Sequence, residues 1–383
     1  MQLKQVPSSI LYGNASIVPI DDSHTSSKAG ATGWEKTKGE TLSMLLASKV
    51  TRIAAKKTKR LVDSKCLDRL LEDSTSTTDV DLMTHSEIEL GELLGQGGYN
   101  SIYKVKSLRE DSSIGDEYVV KVLRKEILQN KVEFALCAAD IIKEGILMTC
   151  LDHPHILKMR AMASSGTSSF ANSRRHDSFF LVMGHLKESF EDNIDGWAKQ
   201  KKRLRFSLKD RKEKKARFFL ARLQVAIQLA DALAYLHRYN ILHRDLKPSN
   251  AGFDAHGALK LFDFDLARVL PHDAKSDDLF NLTQKAGSLR YMSPECAIGQ
   301  PYNLKSDVYS FSLLLYQILS LKAPYANLGN IEQECYVFRK GVRPKVKSSW
   351  PVQIQCLLRE SWSQDIATRP SMDDISSRLS SIH

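Results

Sequence analysis

Strand patterning and helix patterning are segregated along this chain, and that ordering constrains its architecture more than any other feature. From about His85, EIELGELLGQGGYNSIYKVKS reads as strand, Gly-rich turn and strand, and EYVVKVL as a third strand, because apolar and β-branched runs are punctuated by turn formers. A helical stretch follows, with apolar residues at Ile141, Ile142, Ile146, Leu147 and Leu151, closed by Asp152-His153-Pro154. Ser178–Leu186, SFFLVMGHL, reads as another buried strand. Further on, the apolar period of Phe218–His237 is helical, and helices such as Asp307–Leu321 alternate with short loops. Strands first and helices after imply an α+β chain of two lobes. The expected division is into residues 85–186, largely strand, and residues 187–383, largely helix.

Ahead of these lies a stretch that cannot supply a dense core. Residues 1–84 hold 21 Ser or Thr and two aromatics, Tyr12 and Trp34, so most of this extension is expected to be flexible. Within it Leu42, Leu45, Leu46, Val50, Ile53 and Ala54 recur near helical spacing, which makes a conditional amphipathic helix.

Charge and composition then exclude several classes. The formal net charge is +10, but Lys199–Arg217 holds eleven Lys or Arg against Asp210 and Glu213. That segment alone carries +9, leaving +1 for the rest, so no basic face is spread over a fold. A solvated insert or helix extension is the plain reading of such a run. Nucleic acid is therefore not an expected partner, apart from weak binding by the insert at 199–217. No uninterrupted apolar run reaches the roughly 18 residues of a membrane helix, and the amino terminus lacks the pattern of a secretory signal. Six scattered cysteines without a CxxC pair point to a reducing compartment. A cytoplasmic location is expected, with KKTKR at Lys56–Arg60 as a candidate nuclear signal.

Motifs narrow the function. Leu94-Gly95-Gln96-Gly97-Gly98-Tyr99-Asn100-Ser101-Ile102 matches most of G-x-G-x-x-G-x-V, with Asn100 in the third glycine place. Strand-like residues follow the glycines, which suits a hairpin lying over phosphates and not a dinucleotide fold. His243–Asn250 reads HRDLKPSN, Asp263-Phe264-Asp265 begins thirteen residues after Asn250, and Ser293-Pro294-Glu295 closes the next segment. Several independent motifs in this order resemble the eukaryotic protein kinase family over roughly residues 85–380. Lys247 resembles its serine/threonine branch, and SDVYSFSLLLYQIL with the late Thr368-Arg369-Pro370 resembles its tyrosine-kinase-like group.

The resemblance implies a two-lobed kinase fold, ATP and Mg²⁺ as cofactors, and Ser or Thr hydroxyls of protein substrates as acceptors. Phosphoryl transfer needs mainly positioning and charge neutralisation. Lys121 would hold the nucleotide's α/β-phosphates, with Glu144 as its partner. Asp245 would accept or orient the hydroxyl proton, Lys247 would stabilise the transferring group, and Asn250 and Asp263 would ligate magnesium. Gly95, Gln96, Gly97 and Gly98 would cover the phosphates. Ile102 and Val119 would lie above the adenine, Met183 would precede the hinge, and Gly184, His185 and Leu186 would offer backbone groups to the base. Glu191 and Asp192 are candidates for the ribose, and Gly252 falls where the family often has an apolar floor. Arg244 would receive a phosphorylated residue from a loop containing Ser276, Thr283 and Ser288. The Ser288 hydroxyl would face Asp245 and Lys247. Glu295 and Arg369 would form a buried ion pair.

Two departures bear on activity. Asp265 replaces a glycine that allows its motif to flip, and Asn100 replaces a loop glycine. The expectation is an active serine/threonine kinase; the alternative is a pseudokinase that binds nucleotide or partners without turnover. A small-molecule phosphotransferase of related fold is disfavoured by the Ser293-Pro294-Glu295 segment, which shapes a groove for a peptide.

Overall fold

Period-2 stretches rich in Val and Ile pair into a mixed sheet, and the helices that follow them cannot join it because their apolar period is 3.6. In a computed structural model of the protein, the described residues are 31–63, 70, 80–109, 117–164, 166–206 and 211–382. They divide into two units. The first takes the chain up to Asp63, Leu70–Leu151 and Lys158–His185; the second takes Asp152–Leu157 and everything from Leu186. The expected boundary at 186/187 thus falls one residue late, and the short Asp152–Leu157 segment belongs to the second unit.

The first unit contains α1 (Ala31–Asp63), β1 (Asp81–Met83), β2 (Ile88–Gln96), β3 (Asn100–Leu108), β4 (Tyr118–Leu123), α2 (Lys131–Met148), β5 (Met159–Ala163), α3 (Gly166–Ser173) and β6 (Phe180–Gly184). The sheet order is β1-β5-β6-β4-β3-β2, with β1 parallel to β5 and the other pairs antiparallel. Register sorts side chains onto two faces, because directly opposed residues point the same way. Val120, Val122, Phe180, Val182, Val105 and Ala161 pack with Met83, Ile88 and Leu108 in one apolar cluster. The other face carries Lys121 opposite Ile102 and Leu181, and Val119 opposite Met183. α2 starts where the Asn130 side chain accepts from the amides of Val132 and Glu133 at 3.1 and 3.2 Å, satisfying two groups the first turn leaves unpaired. Gly145 sets α2 close to the Lys121 face: a Cβ there would lie 2.8 Å from Leu181 and 2.9 Å from Met162.

The helix expected within 42–60 forms and is longer, and it packs along α2 and α3. The 43–58 part of the extension is therefore docked, whereas the flexibility expected of residues 1–30, 64–69 and 71–79 falls outside the described residues. Its buried stripe is Ser43, Ala47, Val50, Ala54 and Thr58, while Leu42 and Leu45 are exposed. Close helix approach selects small side chains for the contact, so the leucine periodicity mispointed the face.

The second unit contains β7 (Glu188–Ser189), α4 (Phe190–Phe206), α5 (Arg211–Arg238), β8 (Ile241–Leu242), β9 (Ala251–Phe253), β10 (Leu259–Leu261), β11 (Arg268–Val269), α6 (Pro294–Ile298), α7 (Lys305–Ser320), α8 (Val352–Ser361) and α9 (Met372–Ser380). Leu223, Ala226, Leu229, Leu233 and Leu236 of α5 are buried, as are Val308, Phe311, Leu314 and Ile318 of α7. Each large apolar side chain among them contributes about 1.5–3 kcal/mol. By length and composition Lys212–Arg238 is long and apolar enough to cross a membrane, but more than half of its apolar window is buried inside this unit. Arg222, buried in α5, donates to the carbonyls of Ile318 and Leu319 at 2.8 and 3.0 Å, closing the end of α7; burial pushes its guanidinium pKa down to about 10. The basic run 199–217 continues α4 and opens α5, with Lys199, Lys202, Arg203, Lys212, Lys215 and Arg217 exposed. This is the helix-extension reading, with 207–210 outside the described residues.

Candidate active site

Each unit carries part of the predicted site. In the first, Lys121 sits mid-strand on β4, flanked by Val120 and Val122 on the opposite face, so its chain is fixed by the ladder. Its ammonium meets the Glu144 carboxylate of α2 at 2.7 Å, with side-chain exposures of only 7% and 1%. Both charges are desolvated, so removal of either strands the other in low dielectric. Ile102, Val119 and Met183 share this face by register, with Val119 and Met183 buried.

The glycine loop is the β2–β3 connection, closed by the Gly97 amide donating to the Asn100 carbonyl at 2.8 Å. A Cβ built at Gly95 or Gly98 would meet nothing within 4 Å, and neither glycine has a left-handed φ. The fold does not itself demand glycine at these two positions. What glycine leaves there, with Gln96 between, is bare backbone open to something outside the chain, the cradle a phosphate fits. Asn100 pairs with Leu123 as an ordinary strand residue, so tolerance of positive φ is not why Asn stands there. Its buried side-chain Oδ1 has no hydrogen-bond partner.

At the hinge, the Gly184 amide donates to the Lys158 carbonyl at 3.3 Å and the His185 amide to the Glu117 carbonyl at 2.7 Å. These two amides are committed within the chain, which narrows the backbone groups expected to read a base. In the second unit, the Leu186 side chain occupies the space that a residue larger than glycine would fill at 252: its Cδ1 lies 2.8 Å from where a Cβ on Gly252 would stand. The missing side chain at Gly252 is thus replaced by a neighbour.

The second unit gathers the remaining motif residues in loops pinned to α7. Asp245 is the hub. Lys247 Nζ donates to its Oδ2 at 2.6 Å, Asn250 Nδ2 to the same oxygen at 3.1 Å, and the Ser288 amide to Oδ1 at 2.8 Å. Burial pushes the Asp245 pKa up, but the hydrogen bond and charge of Lys247 and the contact from Ser288 outweigh it and hold the carboxyl below its usual value. Contact with Ser288 runs through its amide, where its hydroxyl was expected. Asn250 also gives its amide nitrogen to the Asp245 carbonyl at 2.9 Å, turning its own oxygen away from Asp245. That oxygen and the Asp263 carboxylate are hard donors of the kind magnesium takes, so the residues present fit the ion.

Backbone shape is unusual here. Arg244 and Asp263 have φ of 71° and 66°, conformations that cost energy outside glycine. Asp307 of α7 holds the first in place: its carboxylate accepts from the amides of His243 at 2.7 Å and Arg244 at 2.9 Å, and from His237 at 3.1 Å. Sequence reasoning missed Asp307, although an acid inside the apolar run of SDVYSFSLLLY is the signal that marks it. Asp265 is not among the residues with positive φ, so its replacement of glycine adds no strain in this conformation. His243 and Phe264 are buried with ring centroids 5.2 Å apart, a packing role as expected.

Arg244 meets uncharged partners. Its Nε donates to the Leu266 carbonyl at 2.7 Å and its Nη1 to the Tyr302 hydroxyl at 3.1 Å, and Tyr302 in turn donates to the Thr283 carbonyl at 2.8 Å. The loop is tied to Arg244 by neutral acceptors. The Glu295–Arg369 ion pair is present and bidentate, at 2.7 and 2.8 Å. Beside Lys247 opens a cavity of about 440 Å³, lined by Glu191, Ser249, Ser288, Leu289, Arg290 and Gln333 among others. Glu191 therefore borders this cavity, and Asp192 is bonded to the Ser189 hydroxyl at 2.6 Å.

Comparison with known proteins places these features in a family. The pattern described as protein kinase domain matches residues 88–379. The chain is 34% identical over 160 residues to the serine/threonine-protein kinase STY17 of Arabidopsis thaliana, covering 42% of this chain and 27% of that one. It is 29% identical over 314 residues to the dual specificity protein kinase shkB of Dictyostelium discoideum, covering 79% of this chain and 42% of that one. A probable serine/threonine-protein kinase of the same organism is 28% identical over 297 residues, 77% of this chain and 16% of its own length. The chain spans less than half the length of these curated relatives.

Proposed function

Since this chain belongs to the protein kinase family, we propose that it transfers the γ-phosphoryl group of Mg·ATP to serine or threonine hydroxyls of protein substrates. The observation that carries this reading is the Asp245 cluster, a carboxylate kept charged by Lys247, Asn250 and the Ser288 amide beside a cavity of about 440 Å³. Asp245 orients the acceptor hydroxyl and takes its proton as the oxygen attacks. Lys247, its Nζ 2.6 Å from that carboxylate, offsets negative charge on the phosphoryl in flight. Lys121, kept in place by Glu144, holds the α/β-phosphates, and the open backbone of Gly95–Gly98 donates to them. Asn250 and Asp263 hold magnesium, which when bound neutralises phosphate oxygens and aligns the triphosphate.

Labelled ATP, a Ser/Thr/Tyr peptide array, and wild type beside Asp245→Asn test the reading. Wild type labels Ser or Thr peptides, and Asp245→Asn lowers kcat by about 10²–10⁴-fold with little change in KM for ATP. Nucleotide binding without transfer to any peptide overturns it in favour of a pseudokinase. Labelling confined to Tyr peptides overturns the Ser/Thr assignment.

A further inference from the structure

The helix ahead of the family-matched segment touches the element that carries Glu144. The match begins at residue 88, whereas α1 lies at 31–63 and packs along α2 within the same unit. Its contact stripe Ser43, Ala47, Val50, Ala54 and Thr58 advances by four, three, four and four residues, which keeps one helix face in register over about four turns. All five are buried and small or β-branched, and Val50 is at 0% exposure. Met44, Ser48, Arg52, Lys56 and Lys59 lie on the exposed side.

Both ends of the stripe are pinned. Ser43 Oγ donates to the Ala171 carbonyl of α3 at 3.0 Å. Fourteen residues on, Lys57 Nζ meets Asp140 of α2 at 2.6 Å and the Leu136 carbonyl at 3.3 Å. Lys57, a member of the basic cluster Lys56–Arg60, is thereby spent on the fold.

α2 needs such a cover. Phe134, Ala135, Ala138, Ala139, Ile141 and Lys143 are all buried, and at 100° per residue these positions cover an arc of about 200°, with Leu136 exposed on the remaining side. A buried arc that wide needs more than one packing partner; the sheet supplies one through Leu181 and Met162. Asp140, which Lys57 grips, lies one turn before Glu144, which grips Lys121 at 2.7 Å. Lys57 and Lys121 thus each hold a carboxylate of α2, one turn apart.

We propose that α1 is a positioning element for phosphate binding: Ala47, Val50, Ala54 and Lys57 hold α2 so that Glu144 engages Lys121. This rests on the kinase reading above for its catalytic consequence, and on packing alone for its structural one. The helix–helix contact coexists with the formed ion pair, so docking favours the paired state. A chain cut at the start of the family match lacks this support.

The test uses the full chain with Val50→Asp, Ala54→Glu, the pair Lys57→Asp and Asp140→Lys singly and combined, and Met44→Gln as an exposed control. Readouts are amide hydrogen exchange over residues 131–148 and the KM for ATP against kcat. Val50→Asp and Ala54→Glu are expected to speed α2 exchange at least tenfold and raise KM for ATP at least fivefold. Each single charge reversal is expected to raise KM about threefold, with the double reversal returning to within a factor of two of wild type. Met44→Gln is expected to match wild type. Unchanged α2 exchange in Val50→Asp and Ala54→Glu, or equal α2 exchange in the single and double charge reversals, overturns the proposal. Should Val50→Asp fail to fold, the charge-reversal set decides the matter. A wild type without phosphotransfer sinks the kinase reading, while the exchange data still decide the role of α1.

Discussion

Gly287 is where a single hydrogen atom decides the site. Its φ is 97°, and a Cβ there would stand 2.2 Å from the Arg244 carbonyl. Gly287→Ala must push the segment bearing Ser288 off Asp245, so phosphotransfer is expected to fall at least tenfold, with roughly 1–3 kcal/mol of stability lost, checked by kinetics and thermal unfolding. Asp307 makes a prediction with a pH signature. Burial pushes its pKa up, but the His237 hydrogen bond and charge, the His243 ring and the Arg244 amide leave it lowered. A lowered carboxyl stabilises the fold in its charged form, so the contribution is complete above its ordinary pKa and is lost as pH falls through the folded value. Asp307→Asn is expected to be about 3 kcal/mol less stable at neutral pH, with the gap to wild type narrowing below about pH 4. Chemical denaturation across that range checks it; a gap that stays constant would contradict the charged role. Residue identities such as Lys121, Asp245, Asn250 and Asp263 were legible from motif and order alone. Asp307 and Gly287 were not, because their roles are contacts with backbone groups more than forty residues away.

At the scale of elements, hydrophobic period located four strands, α2 and α7, and placed α5 without its charged opening at 211–217. It failed for α1, where small residues and not leucines make the contact. Short strands such as β1, β7 and β8 escaped notice because two or three residues carry no period. Arg222 shows how one element ends on another: its guanidinium closes the last carbonyls of α7 from within α5. Arg222→Ala is expected to cost about 2–4 kcal/mol through unpaired carbonyls and the cavity left behind, as a fall in unfolding midpoint. If midpoint and cooperativity are unchanged, that buried arginine is not a cap. The bidentate Glu295–Arg369 pair ties α6 to the approach of α9. Arg369→Ala is expected to cost about 3–5 kcal/mol by leaving Glu295 buried and unpaired.

For the whole molecule, the excess charge is local. Four exposed cations at the start of α5, Lys212, Lys214, Lys215 and Arg217, lie on an extension whose side chains Lys212–Arg217 are all exposed. Changing these four to Gln is expected to lower the salt needed to elute the protein from heparin while leaving kcat for a neutral peptide within twofold, since no residue of the Asp245 cluster is near them in sequence. Elution at unchanged salt would place the polyanion contact elsewhere. The sequence by itself determined the class of fold, the order of its main strands and helices, and the chemical identity of the groups proposed to move a phosphoryl, because periodicity and motif spacing are local properties of a chain. Only the tertiary structure decided which carboxylate holds the loop at His243 and Arg244, that Arg244 is bound by a tyrosine hydroxyl and a carbonyl, and that a helix before the kinase segment packs on α2. Those outcomes depend on distances between residues far apart in the chain, and no local pattern encodes a distance.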